Sequence, residues 1–293
     1  MNILNYVGRT PIVKIKNLYG EQYPDIYLKL EEFNPGGSIK TRVGFEMIRD
    51  AEDRGVLKKG DTLIEATGGN TGLGLAIAAS LKGYKLKLVI PDNFSKEKIN
   101  ILKEYGAEII YSNHELGNNS HLIKLKEILS ENKTYINLNQ FENISNPNAH
   151  YLFTGKEIIN SLKKIDYFVS VMGSGGTIAG ISKCLKEHNL ETKIIGVQPE
   201  GCDIFNGIFI PHKIQATAVG VIPKFINRTD IDEMISVDYN EVQIIRERLA
   251  KEQGIFVGIS SGANLLAALK LSKSLDKEKV IVTISPDSGR SYL

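Results

Sequence analysis

The sequence is poor in three things: it has no tryptophan, only two cysteines and almost no net charge. Cys184 and Cys202 are too few for a disulfide framework, which is typical of proteins from a reducing compartment. The 36 basic and 34 acidic side chains leave a charge of +2, which argues against a general binder of nucleic acids. No apolar run approaches the ~20 residues that span a bilayer, and residues 1–6 lack a secretion signal. We therefore expect a cytoplasmic protein that binds neither nucleic acid nor membrane.

Short β-rich apolar runs alternate with segments of helical periodicity through most of the 293 residues. The runs are DIYLKL, DTLIEA, KLKLVI, AEIIY, YFVSVM, TKIIGVQ and KVIVTIS. This alternation predicts an α/β fold of open, mainly parallel twisted sheets flanked by helices. An Asn-rich stretch at 137–150 is the best candidate for a domain boundary. We expect a smaller domain over residues 36–145 and a larger one over 1–35 plus 146–293, with the ligand site in the cleft between them.

The segment MGSGGTIAG follows the run YFVSV and precedes a helical pattern. Glycines and hydroxyl residues alternate at its centre: Gly173, Ser174, Gly175, Gly176 and Thr177. Backbone N–H groups and hydroxyls ahead of a helix are typical of a phosphate-binding loop. The loop lacks the Gly-Lys-Ser/Thr of a nucleotide P-loop, and Ile178 stands where the dinucleotide pattern requires a third glycine. It therefore predicts a small phosphate monoester, with a Gly-rich turn that binds no ligand as the alternative.

The stretch FNPGGSIKTR, residues 33–42, places a turn directly before a lysine. Ser38 is a good helix N-cap, so Lys40 falls in the first helical turn, where the helix dipole lowers the pKa of an ammonium group. A partly neutral lysine can add to an aldehyde to form a Schiff base. Taken alone, such a lysine is more often a solvated side chain. Together with the phosphate loop, it predicts pyridoxal 5′-phosphate as the cofactor and Lys40 as its partner.

Two weaker patterns point to other chemistry. GISSG, residues 258–262, matches the nucleophile elbow of hydrolases, but all five histidines precede Ser260, whereas the hydrolase order puts the histidine last. We predict instead a loop and a helix start with Ser261 as the N-cap. Cys184 and His188 stand four residues apart on a predicted helix, but no second pair lies nearby, so we expect no metal site.

Eight motifs, in order along nearly the whole chain, resemble the cysteine synthase and cystathionine β-synthase family of pyridoxal-phosphate enzymes. They are GRTP, NPGGSIK, ATGGNTG, NQFENISNPNAHY, GSGGT, GVQPEG, GISSGA and PDSGRSYL. The resemblance implies the fold type II of tryptophan synthase β, with pyridoxal phosphate in the cleft between two domains. It also implies a homodimer that acts on a small amino acid.

The resemblance further implies individual site residues. Lys40 would carry the cofactor as a Schiff base, Asn70 would contact its 3′ oxygen, and Gly173 to Thr177 would hold its phosphate. Ser288 matches the residue that faces the pyridine nitrogen. The substrate α-carboxylate would be bound by Thr67, Gly68, Asn70, Thr71 and Gln140.

A serine facing the ring nitrogen is neutral, so the ring would be a weaker electron sink than one that faces an aspartate. This favours early loss of a group at Cβ, and hence β-elimination or β-replacement through α-aminoacrylate on L-cysteine or an O-activated serine. We favour L-cysteine consumption with hydrogen sulfide release. O-acetylserine sulfhydrylase (cysteine synthase) and cystathionine β-synthase are the alternatives, and a non-catalytic sensor or scaffold is a more remote one.

Three departures from the family pattern bear on the substrate. Gly68 stands where relatives often have serine, and Ala216-Thr217-Ala218 replaces a common Gly-Ile-Gly, which should stiffen and narrow that wall. The ending PDSGRSY resembles the cystathionine β-synthase branch more than the plain synthase branch. If water is the incoming nucleophile, a base is needed, and Asp232 is the candidate, with a structural or solvated carboxylate as the alternative.

Overall fold

A computed structural model describes residues 2–16, 18–117, 119–188 and 191–292 of the chain. In these ranges the strands are β1 (Ile12–Ile15), β2 (Asp25–Leu30), β3 (Thr62–Glu65), β4 (Lys85–Pro91), β5 (Glu108–Ser112), β6 (Tyr167–Val171), β7 (Lys193–Pro199), β8 (Glu233–Val237) and β9 (Val280–Ser285). The α-helices are α1 (Lys40–Asp53), α2 (Asn70–Lys82), α3 (Lys96–Glu104), α4 (Ser120–Glu131), α5 (Ser145–Ala149), α6 (Lys156–Ser161), α7 (Gly176–Glu187), α8 (Tyr239–Gln253) and α9 (Ile259–Ser272).

The strands form two sheets, and the predicted α/β fold is confirmed. The larger sheet has the order β1-β2-β9-β6-β7-β8, in which only β1 pairs antiparallel to its neighbour. The smaller sheet has the order β3-β4-β5 and is parallel throughout. This smaller sheet lies inside the range 36–145, although the division into domains stays a prediction.

Each sheet buries both of its faces. Phe168 and Val169 are neighbours on β6, so they point to opposite faces, where α7 and α9 respectively supply the packing partners. Leu63 and Ile64 do the same on β3, the first packing towards α1 and α2 and the second towards α4. Helices on both faces leave the carboxyl ends of the parallel strands as the edge where loops of the two sheets can meet.

Residues 145–161 form a continuous helical stretch of changing width. It runs from α5 through a π-helical segment, His150–Gly155, into α6. His150 is completely buried in this stretch. No helix in the described ranges is long and apolar enough to cross a membrane.

Candidate active site

A cavity of about 310 Å³ is lined by loops and helix starts from both sheets. This volume is near the lower end of the range of roughly 300–1,000 Å³ typical of small-molecule sites, which indicates a small ligand. Most of the predicted site residues line it together: Lys40, Thr67, Asn70, Thr71, Gln140, Gly173, Ser174, Gly175 and Thr177. The structure therefore brings the lysine, the Gly-rich loop and the predicted carboxylate site to one place.

Lys40 is the first residue of α1 and so lies in the first helical turn, as predicted, but the residue that caps the helix differs from the prediction. The cap residue is Ile39, so the prediction that Ser38 is the N-cap is wrong. Ser38 instead forms an antiparallel bridge with Asp287 and accepts a hydrogen bond from the Lys40 N–H at 3.3 Å. Burial lowers the pKa of Lys40 to about 8, and the further effect of the helix dipole stays a prediction.

Backbone contacts fix the position of Lys40 from two sides. On one side, the Ile39 N–H donates to the Pro286 carbonyl at 2.8 Å, which ties the start of α1 to the turn after β9. On the other side, the Cα of Gly74 in α2 lies against the Lys40 carbonyl so closely that a side chain there would overlap it. Lys40 is thus held between the turn that follows the larger sheet and a helix of the smaller sheet.

The Gly-rich loop precedes the start of α7. Gly175 has φ +83, a left-handed conformation that glycine adopts without strain. A side chain at Gly173 would overlap the Ala216 carbonyl, and one at Gly176 would overlap the Asn146 amide. Asn146 donates to the Ser174 hydroxyl at 3.1 Å, so this loop is both closely packed and polar.

Behind the Gly-rich loop lies an imidazole that the motif search did not single out. His150 Nε2 is 3.3 Å from the Thr177 hydroxyl, and its Nδ1 is 3.1 Å from the Thr154 hydroxyl. Burial, together with the charges of Lys40 and Arg42, lowers the pKa of His150 well below its usual value. His150 is therefore neutral at pH 7 and orients Thr177. The family motif NQFENISNPNAHY, which contains His150, was the available signal.

The predicted carboxylate site lies at the start of α2. The Thr71 hydroxyl donates to Gln140 Oε1 at 2.7 Å, and both residues are buried. Asn70 Nδ2 donates to Asp287 Oδ2, also at 2.7 Å. Gly68 does not line the cavity, and a serine in its place would point into the side chains of Ile90 and Phe94.

Among the cavity residues with polar side chains that the sequence reasoning missed as site residues are Ser260, Asp287 and Tyr292. The helix α9 begins at Ile259 with Gly258 as its cap, so the prediction that Ser261 is the N-cap is wrong. Asp287 is nearly fully buried and accepts a hydrogen bond from the Tyr292 hydroxyl at 2.7 Å. The motifs GISSGA and PDSGRSYL contain these residues and were the available signal.

Four predicted residues do not line the cavity: Gly68, Gly176, Asp232 and Ser288. Asp232 is exposed, and its Oδ2 accepts a hydrogen bond from the Ile194 N–H at 2.8 Å, beside the start of β8. Ser288 bonds to the Phe256 carbonyl at 3.4 Å. The catalytic role of Asp232 and the contact of Ser288 with the ring nitrogen stay predictions, and the placement of neither side chain supports them. The placement of Asp232 fits the structural alternative.

The segment 215–223 supplies the opposite wall through Gln215, Ala216 and Val219. Ala216 has φ +60 and Ala218 has φ +45, the left-handed conformation that glycine adopts without strain. The alanines therefore keep a glycine-like backbone at a cost in strain, and the stiffening and narrowing of this wall stay predictions.

The Cys184 and His188 pair has a structural explanation. His188 Nδ1 is 2.9 Å from the backbone carbonyl of Cys184, and the Cys184 side chain is buried in the core. The pair therefore closes the end of α7.

Comparisons with known proteins agree with the motifs. A family model described as "Pyridoxal-phosphate dependent enzyme" matches residues 3–287. The chain is 41% identical to cysteine synthase of Staphylococcus aureus over 295 residues, which cover 100% of this chain and 95% of that protein. It is also 39% identical to a hydrogen sulfide-producing enzyme from Fusobacterium nucleatum of known structure, with a TM-score of 0.94 and coverage of 100% and 97% of the two chains. Cystathionine β-synthase of Apis mellifera is 41% identical over 305 residues, which are 60% of that protein. The resemblance stated from the motifs is confirmed.

Proposed function

Because this chain belongs to the family of pyridoxal-phosphate-dependent enzymes, we propose that it acts at Cβ of L-cysteine or an O-activated serine. The reaction is β-elimination or β-replacement, the chemistry that its cysteine synthase and cystathionine β-synthase relatives support. Within that class we propose L-cysteine as the substrate and hydrogen sulfide as a product.

The residues that line the cavity fit pyridoxal phosphate. The tightly packed glycines at 173 and 176, together with the hydroxyls of Ser174 and Thr177 at the start of α7, suit a phosphate monoester. Lys40 lines the same cavity, and its primary amine can form a Schiff base with the aldehyde of the cofactor. When bound, the cofactor supplies an aldehyde carbon and a conjugated ring that withdraws electrons from the amino acid.

The depressed pKa of Lys40 gives its amine two uses. At pH 7 a group with a pKa of about 8 is neutral in roughly a tenth of the molecules, against well under a thousandth for an ordinary lysine. The neutral Nζ can attack an aldehyde carbon, and it can hold a proton taken from the α-carbon of the substrate. Both uses need the amine on the cavity, where the structure places it.

The pair of Thr71 and Gln140 suits the substrate α-carboxylate. A hydroxyl has one proton, and that of Thr71 goes to Gln140 Oε1. The amide nitrogen of Gln140 therefore keeps both of its protons for an acceptor on the cavity side. The start of α2 adds backbone N–H groups and the positive end of a helix, which also favour a carboxylate.

One observation argues against hydroxide as the leaving group and for a better one such as sulfide. Among the described residues, the ionisable side chains that line the cavity are Lys40, Lys98, Asp287 and Tyr292. Asp287 and Tyr292 already bond to each other. Apart from the lysine ammonium groups, no acid among these residues is thus free to protonate a poor leaving group such as hydroxide. Hydrosulfide, the group that leaves from L-cysteine, needs far less of that help, because S–H groups are much stronger acids than water. The likeness to a hydrogen sulfide-producing enzyme supports the same choice.

Cysteine synthesis from O-acetylserine and sulfide is the second candidate. An acetate group also leaves without protonation, and the Staphylococcus aureus relative carries the name cysteine synthase. The cavity and Lys40 would take the same roles in cysteine synthesis.

Supplying each substrate in turn separates the two candidates. The holoenzyme receives L-cysteine alone in one arm and O-acetylserine with sulfide in the other, and sulfide, pyruvate, serine and cysteine are quantified over time. The proposal expects steady sulfide release from L-cysteine, abolished by Lys40→Ala. Cysteine formation in the second arm with no sulfide in the first would replace it with the second candidate.

A further inference from the structure

Asp287 receives hydrogen bonds from two side chains that come from different parts of the chain. Asn70 Nδ2 and the Tyr292 hydroxyl both donate to Asp287 Oδ2, each at 2.7 Å. The carboxylate is 2% exposed, and its second oxygen, Oδ1, has no hydrogen-bond partner among the described residues. A buried carboxylate that rests on two donors constrains both of them strongly.

The chemistry of the contact fixes which way the Asn70 amide points. A carboxylate only accepts hydrogen bonds, so it can pair with the amide nitrogen of Asn70 but not with the amide oxygen. Turning the amide over would set two oxygens against each other and leave a buried negative charge with one donor. One proton of Asn70 Nδ2 is thus committed to Asp287, and the second is available to a ligand.

We infer that Asp287 is a positioning residue that locks the Asn70 amide so that its remaining N–H faces the cofactor site. The inference rests on the proposed function, in which the chain binds pyridoxal phosphate, and on the contact between Asn70 and that cofactor that the family resemblance implies. It assigns to Asp287 no contact with the reacting atoms. The Asn70 N–H is then already oriented towards the oxygen on the cofactor ring before the cofactor binds. Binding therefore loses no free energy to ordering the Asn70 side chain.

The surroundings of Asp287 explain how it holds its own place. Its backbone pairs with Ser38, and its carbonyl accepts from the Gly258 N–H at 2.9 Å. Its carboxylate lies so close to the Gly258 Cα that a side chain at 258 would overlap it. Lys98 lies over the Tyr292 ring, 5.2 Å from its centroid, and its charge opposes the rise in the pKa of Asp287 that burial causes.

A double-mutant cycle tests the inference on cofactor binding alone, without turnover. The apo forms of the wild type, Asp287→Asn, Asn70→Ala and the double variant are titrated with pyridoxal phosphate, and the dissociation constant is read from absorbance. We expect Asp287→Asn and Asn70→Ala each to weaken binding at least tenfold, because each removes a charge-assisted hydrogen bond or its orientation. In the Asn70→Ala background, Asp287→Asn should change binding less than twofold.

Two further variants separate positioning from general destabilisation. Asp166→Asn removes a carboxylate at the amino-terminal ends of β6 and β9, where Asp166 Oδ2 accepts a hydrogen bond from the Val280 N–H at 2.8 Å. This variant should leave the affinity for pyridoxal phosphate unchanged. Gly258→Ala should displace the Asp287 carboxylate while leaving Asp287 itself unmutated. This variant should weaken the binding of pyridoxal phosphate as Asp287→Asn does. The inference would be overturned if the double variant lost as much affinity as the product of the two single losses. It would also be overturned if Asp287→Asn bound pyridoxal phosphate as tightly as the wild type. Sulfide release from L-cysteine is measured separately, so failure of the proposed function and failure of this inference give different results.

Discussion

At the scale of the residue, the reactive amine of Lys40 is set by desolvation. Because burial holds the pKa of Lys40 near 8, its nucleophilic form should increase with pH and reach half its maximum near pH 8 in the apo protein. Competitive labelling with acetic anhydride, read as the mass of the peptide containing position 40, measures this directly. The same peptide in urea should reach half-labelling near pH ~10.4, the value of a solvated lysine. Equal profiles in the folded and unfolded chain would contradict the effect of burial.

Ala216 is a second residue whose conformation predicts a measurable effect. Its φ of +60 costs ~1 kcal/mol, and glycine adopts it freely, although glycine also gives the unfolded chain more freedom. We expect Ala216→Gly to leave the free energy of unfolding unchanged or raise it by up to ~1 kcal/mol in urea denaturation.

The matched control for that prediction is Ala250→Gly near the C-terminal end of α8. It should lower the free energy of unfolding by ~1 kcal/mol, because glycine is a poor helix former. Equal losses for the two variants would show that Ala216 carries no strain.

Local sequence identifies residues whose chemistry depends on their neighbours in the chain, and it fails where the partner is distant. Lys40 and the Gly-rich loop could be identified because the turn, the glycines and the helix start are contiguous. Asp287 could not be, because its partner Asn70 is 217 positions away. Asp232 was put forward from the acidic pair Asp230 and Asp232 that follows the segment 215–223, and its absence from the cavity lining agrees with its place beside the edge strand β8.

At the scale of the element, α1 and α2 pack backbone against backbone. A side chain at Gly74 would meet the Lys40 carbonyl, and one at Gly44 would come within 2.6 Å of the Gly74 carbonyl carbon. We expect Gly74→Ala to lower the free energy of unfolding by ~1–3 kcal/mol through overpacking and to reduce labelling of Lys40. Urea denaturation and the labelling assay measure the two effects. Ser80→Ala, on the exposed face of the same helix, should stay within ~0.5 kcal/mol of the wild type. A Gly74→Ala variant as stable as the wild type would contradict the close packing.

A buried ion network anchors the other face of α1. Arg42 bonds to Glu31 and Glu157, and Glu157 also bonds to Lys29 at 2.7 Å. Burial raises the pKa of Glu157, but the bonds and charge of Arg42 outweigh it and hold that pKa at about 2. Glu157→Gln should therefore lower the free energy of unfolding by ~3 kcal/mol at pH 7.

The pH dependence of that loss follows from the direction of the shift. A carboxyl with a depressed pKa contributes fully above its unfolded value of ~4.3, and its contribution disappears as the pH falls towards 2. The difference between Glu157→Gln and the wild type in urea denaturation should accordingly shrink between pH 5 and pH 3. A difference independent of pH would assign the loss to packing.

Most strands were predictable because their apolar runs are long and rich in β-branched residues. The seven predicted runs correspond to β2 to β7 and β9. The strands β1 and β8, IVKI and EMISV, were missed. Neither length nor edge position explains this, because β3 and β5 have the same lengths, lie at the edges of the smaller sheet and were predicted.

At the scale of the whole molecule, the cavity couples cofactor binding to stability, because its walls exist only when both sheets are folded. A ligand that binds the native state alone stabilises it by ~2.7 kcal/mol at a hundred times its dissociation constant. We expect pyridoxal phosphate at that excess to raise the unfolding midpoint of the apo chain by on the order of 5–10 °C in a calorimetric scan. The rise should be smaller for Lys40→Ala, and no rise in the wild type would contradict the assigned cavity.

The π-helical segment His150–Gly155 makes the length of the helical stretch 145–161 as important as its composition. Removing one residue there would tighten the wide turn into an ordinary one and rotate α6 by ~100° about its axis. Thr177 would keep its imidazole partner, while Glu157 would swing away from the guanidinium of Arg42. A deletion of one residue, harmless in a surface loop, would thus disconnect the anchor of the helix that carries the reactive amine.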